Sequence, residues 1–511
     1  MPEGHPPSIV RRLPPSEARN QWAGGARHSL PKAYRSIDLV VMGVGVMIGA
    51  GIFSLAGRQA ATMAGPGVIL SFMIAGITSL LVAFCFAELS SALPAAGSAY
   101  TFAYVIFGEV WAWIVGWALA LELLLATAVV SRVWSLYASQ LLTDLGVRLP
   151  APLAAVTGQA EGLDLFTLLI LVLLTALVAL GARMGLRALR IIVIAKLLAI
   201  GAVIAVGVTH FDQRNLAAIP APSAQTMAAT DVLHSSLLGL VSGQTGAFGW
   251  FGIFAASAVI TFAYIGFDVV ATAAEEAENA PVSVPKGIIR SLIVTTVIYI
   301  AVALVMVGMT SYQMIDGKAP LAAAFRDAGD GFMVHIINLG AVLGLTTVVL
   351  VLLVGLTRVM FSMARDGLVP RRLAKLNKSY HSPARVTLLI GGLAILLAEF
   401  VPVLTLEPLV VIGTLFVFIS VAAGVIRMRR TMPDLPRGFR VPLSPAVPIA
   451  SIAACLWLLV NLQIDTWLYF AAWMALGVLV YLLYGRRNSA LAGIRRPEDA
   501  SNGDARGRHR R

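Results

Sequence analysis

The chain has 511 residues, of which 58% are hydrophobic and only 13% are charged. Its mean hydropathy of +0.85 excludes a soluble enzyme, because the surface of a soluble protein cannot accommodate so much apolar area. The formal net charge of +12 would suit a nucleic-acid-binding protein, but the basic residues are distributed as membrane topology requires, so we expect no nucleic-acid partner.

Apolar stretches long enough to cross a hydrocarbon layer of about 30 Å recur along the chain. They predict an all-α polytopic membrane protein with twelve transmembrane helices. The predicted spans are 37–58, 67–93, 108–142, 163–182, 188–209, 249–276, 286–312, 332–363, 383–402, 406–427, 446–463 and 466–485. Residues 1–36 are polar and lack the features of a cleaved signal peptide. We therefore expect a cytosolic N-terminal tail, an uncleaved first span, and a second basic cytosolic tail at 486–511.

The basic residues indicate the orientation of the chain in the membrane. With the N-terminus inside, the cytosolic segments contain 30 Lys and Arg residues and the outer loops contain five. This positive-inside bias predicts a multi-pass plasma (inner) membrane protein with both termini in the cytosol, and basic tails that contact membrane lipid.

The first predicted span contains its own interruption. Four of the eleven residues of Gly43–Phe53 are glycine, which weakens a helix and permits close backbone approach. Peptide groups freed at bilayer depth must face protein, water or a ligand, which makes this segment a candidate binding site. The alternative is helix packing, because Gly45 and Gly49 form a GxxxG motif.

A second irregular segment, Thr261–Asp268, interrupts the sixth span with a glycine and an intramembrane carboxylate. Two interrupted helices that each begin a five-helix unit predict an inverted repeat with a site at the membrane midplane. We therefore predict a ten-helix core at 37–427, with repeats at 37–209 and 249–427. The last two helices, at 446–485, would lie outside this core.

Broken helices expose N–H groups at one cut end and carbonyl groups at the other. The first end attracts a carboxylate and the second an ammonium group. Two antiparallel breaks can therefore hold a small zwitterion such as an α-amino acid. We expect the backbone of Ile48, Gly49, Ala50 and Gly51 to hold the carboxylate, and the carbonyls of Phe262, Ala263 and Ile265 to hold the amine.

The ordered motifs of residues 35–485 resemble those of the amino acid–polyamine–organocation transporters, and most closely those of the cationic amino acid transporter branch. The segments that carry the resemblance are Gly43–Phe53, Ala64–Phe72, Ala87–Leu89, Pro94–Tyr100, Gly266–Asp268, Glu275–Pro281, Pro285–Ile288, Arg358 and Asp366–Leu368. The resemblance implies a leucine-transporter-type 5+5 inverted repeat with discontinuous helices 1 and 6, plus helices 11 and 12. It also implies amino acid transport by alternating access.

Individual positions follow from the same resemblance. Ala50 stands where the family often has a threonine, so a hydroxyl contact to the substrate is missing. Phe262 matches an aromatic residue that covers the site. Lys196 resembles the lysine that replaces a sodium ion in proton-coupled members.

Lys196, Glu122 and Asp268 lie deep within predicted spans, where a charge is costly. Lys196 lies about 9 Å along its span from Arg190, so we predict that its protonation couples proton entry to transport. The alternative is snorkelling to the interface. Glu122 is a candidate for the substrate or proton pathway, or a structural group. Asp268, at the second break, is a candidate substrate contact or a structural tie for the unwound backbone.

A group of charged residues lies at the predicted cytosolic ends of the spans: Glu88, Glu275, Glu276, Arg358, Arg365 and Asp366. Ion pairs among them and their neighbours would close a cytosolic gate, while the alternative is solvated helix ends. We expect Arg132 either to snorkel to the membrane surface or to play a structural role by packing within the protein.

The sequence therefore predicts a secondary active amino acid permease, not an enzyme, that imports a cationic or small neutral amino acid together with protons. An amino acid/polyamine exchanger and a non-transporting amino acid sensor remain alternatives. We expect no cofactor, no metal site and no catalytic residues, because neither a metal-ligand spacing nor a nucleophile–base cluster is present.

Overall fold

The structure is a computed structural model. It describes residues 34–95, 97–181, 186–216, 219–220, 233, 235–242, 247–315, 319–377 and 382–490. Within these ranges the regular structure is helical, and the pairing between extended segments is limited to isolated bridges. The predicted all-α class is confirmed. The tail at 1–33 and most of the tail at 486–511 lie outside the described residues.

The α-helices are numbered here in chain order. Those of the first half are α1 (Ser36–Met47), α2 (Ala56–Gln59), α3 (Val68–Ala92), α4 (Ala99–Ile106), α5 (Glu109–Asp144), α6 (Ala151–Ala154), α7 (Leu165–Ala179), α8 (Leu186–Gly207) and α9 (Leu237–Ser242). Those of the second half are α10 (Gly249–Ile260), α11 (Phe267–Thr272), α12 (Ala280–Met309), α13 (Pro320–Asp327), α14 (Gly331–Arg365), α15 (Ala384–Phe400), α16 (Val403–Thr431), α17 (Ala446–Val460), α18 (Ile464–Val480) and α19 (Arg486–Asn488).

Shorter helical turns connect or extend these helices. Turns of π-helix are found at Gly51–Leu55, Ala60–Ala64 and Tyr481–Gly485. Turns of 3₁₀-helix are found at Gly65–Gly67, Val208–His210, Gln213–Leu216, Thr261–Tyr264, Ala274–Glu276, Tyr312–Met314 and Arg371–Ala374.

Each predicted span coincides with a helix or with a pair of half-helices. Among the described residues, eight segments are long and apolar enough to cross a membrane, and the first of them, Ser36–Ala92, includes the first two predicted spans. The helices Leu165–Ala179 and Ala446–Val460 are apolar but shorter. The chain is therefore a helical membrane protein, while the number of twelve spans and the inverted repeat stay predictions.

The core is formed by the longest helices. Helix α5 packs along α14 and α16, and α12 packs along both α1 and α3. The most apolar window of α5 is 89% buried, whereas the corresponding window of α8 is 28% buried. An apolar helix that is exposed on most of its surface suits contact with lipid, so α5 is central and α8 peripheral.

Two buried ionic clusters join distant segments. The Arg132 side chain, 1% exposed, donates to the carbonyl oxygen of Ala398 at 2.7 Å and lies 3.5 Å from Asp164 and 3.6 Å from Glu399. Of the two predicted alternatives for Arg132, structural packing is therefore confirmed and snorkelling to the membrane surface is wrong. The second cluster surrounds Glu88, which is fully buried.

Arg429 donates to both carboxylate oxygens of Glu88, from Nε at 2.9 Å and from Nη2 at 2.6 Å. The backbone N–H of Val441 donates to the same carboxylate at 2.7 Å. The carboxylate is fully buried although Arg429 is 26% exposed, so removing the arginine would leave an uncompensated buried charge, which is costly. Glu88 therefore ties α3 to α16 and to the segment that follows it.

Candidate functional site

The first span is interrupted as predicted. Helix α1 ends at Met47, and Ile48 leaves helical geometry with φ −70° and ψ 89°. Helical structure resumes in the turn at Gly51–Leu55. Within the described part of the chain, the N–H groups of Gly49, Ala50 and Gly51 make no hydrogen bond. The break therefore presents unpaired N–H donors, which suit an anionic group.

The second interruption lies in the sixth predicted span. After α10 the chain makes a 3₁₀ turn, Ile265 is extended, and Gly266 adopts φ 125° before α11 begins. This value of φ strongly favours glycine. The Asp268 carboxylate accepts a 3.0 Å hydrogen bond from the Gly266 N–H, so it holds the turn in place. That contact agrees with the structural alternative for Asp268.

The two breaks touch each other. A Cβ atom on Gly51 would lie 2.2 Å from the Cβ of Ala263, and one on Gly266 would lie 2.5 Å from Cγ1 of Val46. No side chain fits at such distances, so each break needs its glycine for the other to approach. Gly45 also packs closely, because its Cβ would lie 2.8 Å from Val193. The packing alternative therefore holds for Gly45, while Gly51 joins the two breaks.

Two tyrosine hydroxyls fix the breaks from neighbouring helices. The Tyr299 hydroxyl, from α12, contacts the carbonyl oxygen of Met47 and lies 2.9 Å from that of Ala263. The Tyr137 hydroxyl, from α5, donates to the carbonyl oxygen of Phe53 at 2.6 Å. The Tyr299 hydroxyl engages backbone carbonyls at the two breaks, whereas the Tyr137 hydroxyl contacts the turn in which helical structure resumes.

Lys196 is buried beside the first break. Its side chain is 1% exposed, so it does not snorkel. Its Nζ atom donates to the carbonyl oxygens of Gly45 at 2.5 Å and Ile48 at 3.0 Å, and lies 3.3 Å from the hydroxyl of Thr347. No carboxylate of the described residues forms an ion pair with it. Lys196 therefore places its charge at the carbonyl end of α1, where the helix dipole is negative.

A small cavity lies between the two breaks. Its volume is about 20 Å³, which is enough for about one water molecule. An amino acid can enter only if these walls move apart, so the structure is a closed state. The predicted residues Gly49, Ala50, Gly51, Phe262, Ala263 and Ile265 all line it, together with Val46, Met47, Ala126, Val130, Val348 and Leu352.

Ile48 and the two intramembrane carboxylates do not line this cavity. The carbonyl of Ile48 is engaged by Lys196. Glu122 is fully buried, and neither carboxylate oxygen has a hydrogen-bond partner among the described residues. The cavity surface is therefore apolar side chains and backbone, without a carboxylate.

Among the residues of the predicted cytosolic gate, one of the expected ion pairs is present. Arg358 pairs with Glu276 and lies 3.4 Å from the hydroxyl of Thr272. Asp366 accepts from the Tyr100 hydroxyl at 2.8 Å. Glu275 is half-buried on the turn that carries Glu276.

The turn at Ala274–Glu276 also contacts the beginning of the described chain. The Tyr34 N–H donates to the carbonyl oxygen of Glu276 at 3.1 Å, and the Glu278 N–H donates to that of Tyr34 at 2.8 Å. Together with the Arg358–Glu276 pair, these bonds join the segments next to α1, α11 and α14. These contacts surround the Arg358–Glu276 pair, both members of which belong to the predicted gate group.

An ion pair lies at the opposite end of the first span. The Arg58 guanidinium, in α2, lies 2.5 Å from the Glu407 carboxylate of α16, and the two side chains are 15% and 3% exposed. It joins the second half of the broken helix to the tenth span.

Sequence reasoning missed Tyr137, Tyr299, Arg58 and Glu407. Tyrosine in an apolar span carries a hydroxyl that needs a partner, which marks Tyr137 and Tyr299 as polar contacts without revealing their acceptors. The pairing of Arg58 with Glu407 joins positions 349 residues apart, and no local pattern indicates it.

Comparison with known proteins identifies the family. A family model described as amino acid permease matches residues 36–482. The chain is 39% identical over 474 residues to the branched-chain amino acid permease BcaP of Bacillus subtilis, which covers 92% of this chain and 96% of that protein. It is 38% identical over 465 residues to the methylthioribose transporter of the same organism, covering 91% and 95%.

A plant relative matches more distantly. The vacuolar cationic amino acid transporter 2 of Arabidopsis thaliana is 34% identical over 443 residues, covering 84% of this chain and 64% of that protein. The resemblance inferred from the motifs is therefore confirmed. The chain belongs to the amino acid permease family of the amino acid–polyamine–organocation superfamily, and it is a transporter rather than an enzyme.

Proposed function

We propose that this permease imports a neutral amino acid with an apolar side chain, together with protons, by alternating access. The observation that carries the proposal is the contact between two helix breaks around an apolar cavity. Both breaks lie inside apolar spans, where exposed peptide groups need a partner. A bound amino acid supplies that partner through its charged carboxylate and ammonium groups.

The backbone provides the groups that a zwitterion needs. The unpaired N–H groups of Gly49, Ala50 and Gly51 would hold the carboxylate at the beginning of the second half-helix. Carbonyl oxygens of the second break, at Phe262, Ala263 and Ile265, would hold the ammonium group. Ala263 already contacts Tyr299, but a carbonyl oxygen has a second lone pair for the ligand.

The cavity lining supports a neutral substrate. Its apolar side chains include those of Val46, Ala126, Val130, Val348 and Leu352. They offer a ligand apolar contact but no side-chain hydrogen bond. A cationic side chain or a polyamine would be buried there without a compensating charge, which is costly. The name of the branched-chain amino acid permease BcaP, a relative, agrees with this choice.

A second candidate comes from the methylthioribose transporter, another relative. The hydroxyl groups of a sugar need buried hydrogen-bond partners, and the side chains around this cavity do not supply them. The geometry therefore supports an amino acid better than a thioribose.

The environment of Lys196 supports proton coupling. Its ammonium group holds the carbonyl end of α1, and no buried carboxylate compensates its charge among the described residues. Loss of the proton would weaken these bonds and release the end of α1, whereas protonation would restore them. Repeated protonation and deprotonation of Lys196 would thus move the first half-helix between two positions.

The distribution of basic residues supports insertion in the plasma membrane with both termini in the cytosol. In this orientation the Arg358–Glu276 pair lies at the cytosolic end and the Arg58–Glu407 pair at the outer end. The two pairs would open in turn during alternating access. Ten helices in two inverted five-helix units, with two added helices, would provide this motion.

Transport assays test the proposal directly. The full chain is reconstituted in proteoliposomes, and the uptake of labelled leucine, arginine and methylthioribose is measured with and without an inward proton gradient. We expect leucine to accumulate only with the gradient. Accumulation of arginine alone would overturn the substrate class, and leucine accumulation without a gradient would overturn proton coupling. Binding without any accumulation would identify an amino acid sensor instead.

A further inference from the structure

A cavity of about 780 Å³ lies at the predicted cytosolic face, away from the helix breaks. One wall is Pro370–Arg372, which follows α14. The other wall is formed by Tyr484 and by Arg487–Ser489, at the end of the last span.

The cavity is held open by specific contacts between these two segments. The Ala490 N–H donates to the carbonyl oxygen of Asp366 at 2.8 Å. Gly367 adopts φ 79°, and a Cβ there would lie 2.3 Å from the carbonyl oxygen of Asn488. The Ser489 hydroxyl donates to the buried carboxylate of Glu109 at 2.6 Å. The second wall is thus a fixed part of the fold.

The cavity carries unbalanced positive charge. Three arginines line it, and no Asp or Glu does. Arg371 donates to the carbonyl oxygen of Asn488 at 3.5 Å, whereas Arg372 and Arg487 have no hydrogen bond or ion pair with any described residue. The nearby carboxylate of Glu109 is occupied by the hydroxyls of Ser489 and Tyr481. Guanidinium groups that line one cavity without a carboxylate beside them suit a phosphate.

The surface next to the cavity is apolar. Leu479 and Leu483 are 51% and 66% exposed, and they precede Arg487 at four-residue intervals, which places them on one side of the helix. An acyl chain can lie along these leucines while its headgroup enters the cavity. A soluble anion would make no use of them.

From this arrangement we propose that the cavity binds the headgroup phosphate of an anionic phospholipid. The bound lipid bridges the end of α14 and the end of the last span. Basic pockets at the cytosolic ends of transmembrane helices recognise such headgroups. Inorganic phosphate shares the chemistry but lacks the acyl chain.

The test uses the purified full-length protein in detergent. Native mass spectrometry and thermal unfolding are measured with phosphatidylglycerol, with phosphatidylcholine and with inorganic phosphate. The variant is Arg372→Gln with Arg487→Gln, because neither side chain has a partner to lose among the described residues. The matched control is Arg430→Gln with Arg440→Gln, which removes the same charge from exposed positions outside the cavity.

We expect the wild-type protein and the control to retain and be stabilised by phosphatidylglycerol in preference to phosphatidylcholine. The cavity variant should bind phosphatidylglycerol roughly thirty-fold more weakly while its unfolding temperature without lipid is unchanged. Equal binding by the cavity variant and the control would overturn the proposed site. Equal stabilisation by inorganic phosphate would overturn the lipid as its occupant. Leucine uptake is measured separately, so the lipid-binding result can be interpreted even if the proposed transport activity is not found.

Discussion

The Nζ atom of Lys196 lies 3.0 Å from the carbonyl oxygen of Ile48, the residue at which the first span stops being helical. The lysine belongs to α8 and the carbonyl to the end of α1, so a single side chain connects a peripheral helix to the central break. The connection places positive charge where unpaired carbonyls accumulate. It is the most direct physical link between a proton and the proposed binding site.

Replacing this lysine should uncouple transport from the proton gradient. In Lys196→Met the chain keeps a similar volume but loses the charge and the donors to Gly45 and Ile48. We expect gradient-driven leucine uptake into proteoliposomes to fall at least about ten-fold, because methionine cannot take up and release the proton that the proposed coupling requires. Leucine exchange without a gradient should persist.

The control for this experiment is Lys286→Met, at an exposed lysine of α12. It should transport like the wild-type protein. Wild-type dependence on the gradient in Lys196→Met would contradict the coupling role, provided that thermal unfolding shows both variants to be folded.

The contact between the breaks depends on Gly51. In Gly51→Ala the new methyl group would meet the Cβ of Ala263 at 2.2 Å and force the two breaks apart. Overpacking of this kind costs about 1–3 kcal/mol. We expect a lower unfolding temperature in detergent and loss of the stabilisation that leucine confers on the wild-type protein.

Gly201→Ala provides the matched control. Gly201 lies in α8, and a methyl group at this position would meet no atom within 4 Å. Alanine should therefore be neutral or stabilise the helix by up to about 1 kcal/mol. If Gly51→Ala retains normal leucine stabilisation, the close approach of the breaks is not needed for binding.

The Tyr299 hydroxyl contacts carbonyl oxygens of both breaks. Tyr299→Phe removes that hydroxyl and leaves the ring packed, so it should destabilise the protein by about 1–2 kcal/mol. Leucine binding should weaken as well, because Ala263 loses its fixed position. Tyr469→Phe, at a tyrosine that is 53% exposed, should change neither quantity. Equal effects of the two substitutions would rule out a specific role for Tyr299.

The pair at the outer end is tested by a double-mutant cycle. Arg58→Gln leaves the buried Glu407 carboxylate without its partner. Glu407→Gln likewise leaves the Arg58 guanidinium without a counter-ion. Each single substitution should lower the unfolding temperature strongly, by the equivalent of about 3–5 kcal/mol. The double variant should lose less than the sum of the two. Strict additivity would show that Arg58 and Glu407 do not stabilise each other.

Much of this site could be predicted from the sequence because it depends on backbone chemistry. Glycines inside apolar spans indicate where helices break, as a cluster that includes Gly51 in the first span and as Gly266 beside Asp268 in the sixth. The depth of Lys196 likewise follows from helix geometry. These features are local, so they can be read without any knowledge of the tertiary packing.

The individual ion pairs could not be predicted in the same way. Glu88 and Arg358 belong to one predicted group, yet Arg358 pairs within it, with Glu276, whereas Glu88 pairs outside it, with Arg429. The choice of partner depends on how helices far apart in sequence pack together. The positions of Tyr137 and Tyr299 beside the breaks depend on the same packing.

The central claim is that the two breaks hold the charged groups of an amino acid, and a structure of the protein with bound leucine tests it most directly. We predict that the leucine carboxylate lies within hydrogen-bond distance of the N–H groups of Gly49, Ala50 or Gly51, with the ammonium group at the carbonyls of residues 262–265. Leucine bound elsewhere, with these peptide groups still unoccupied, would contradict the account.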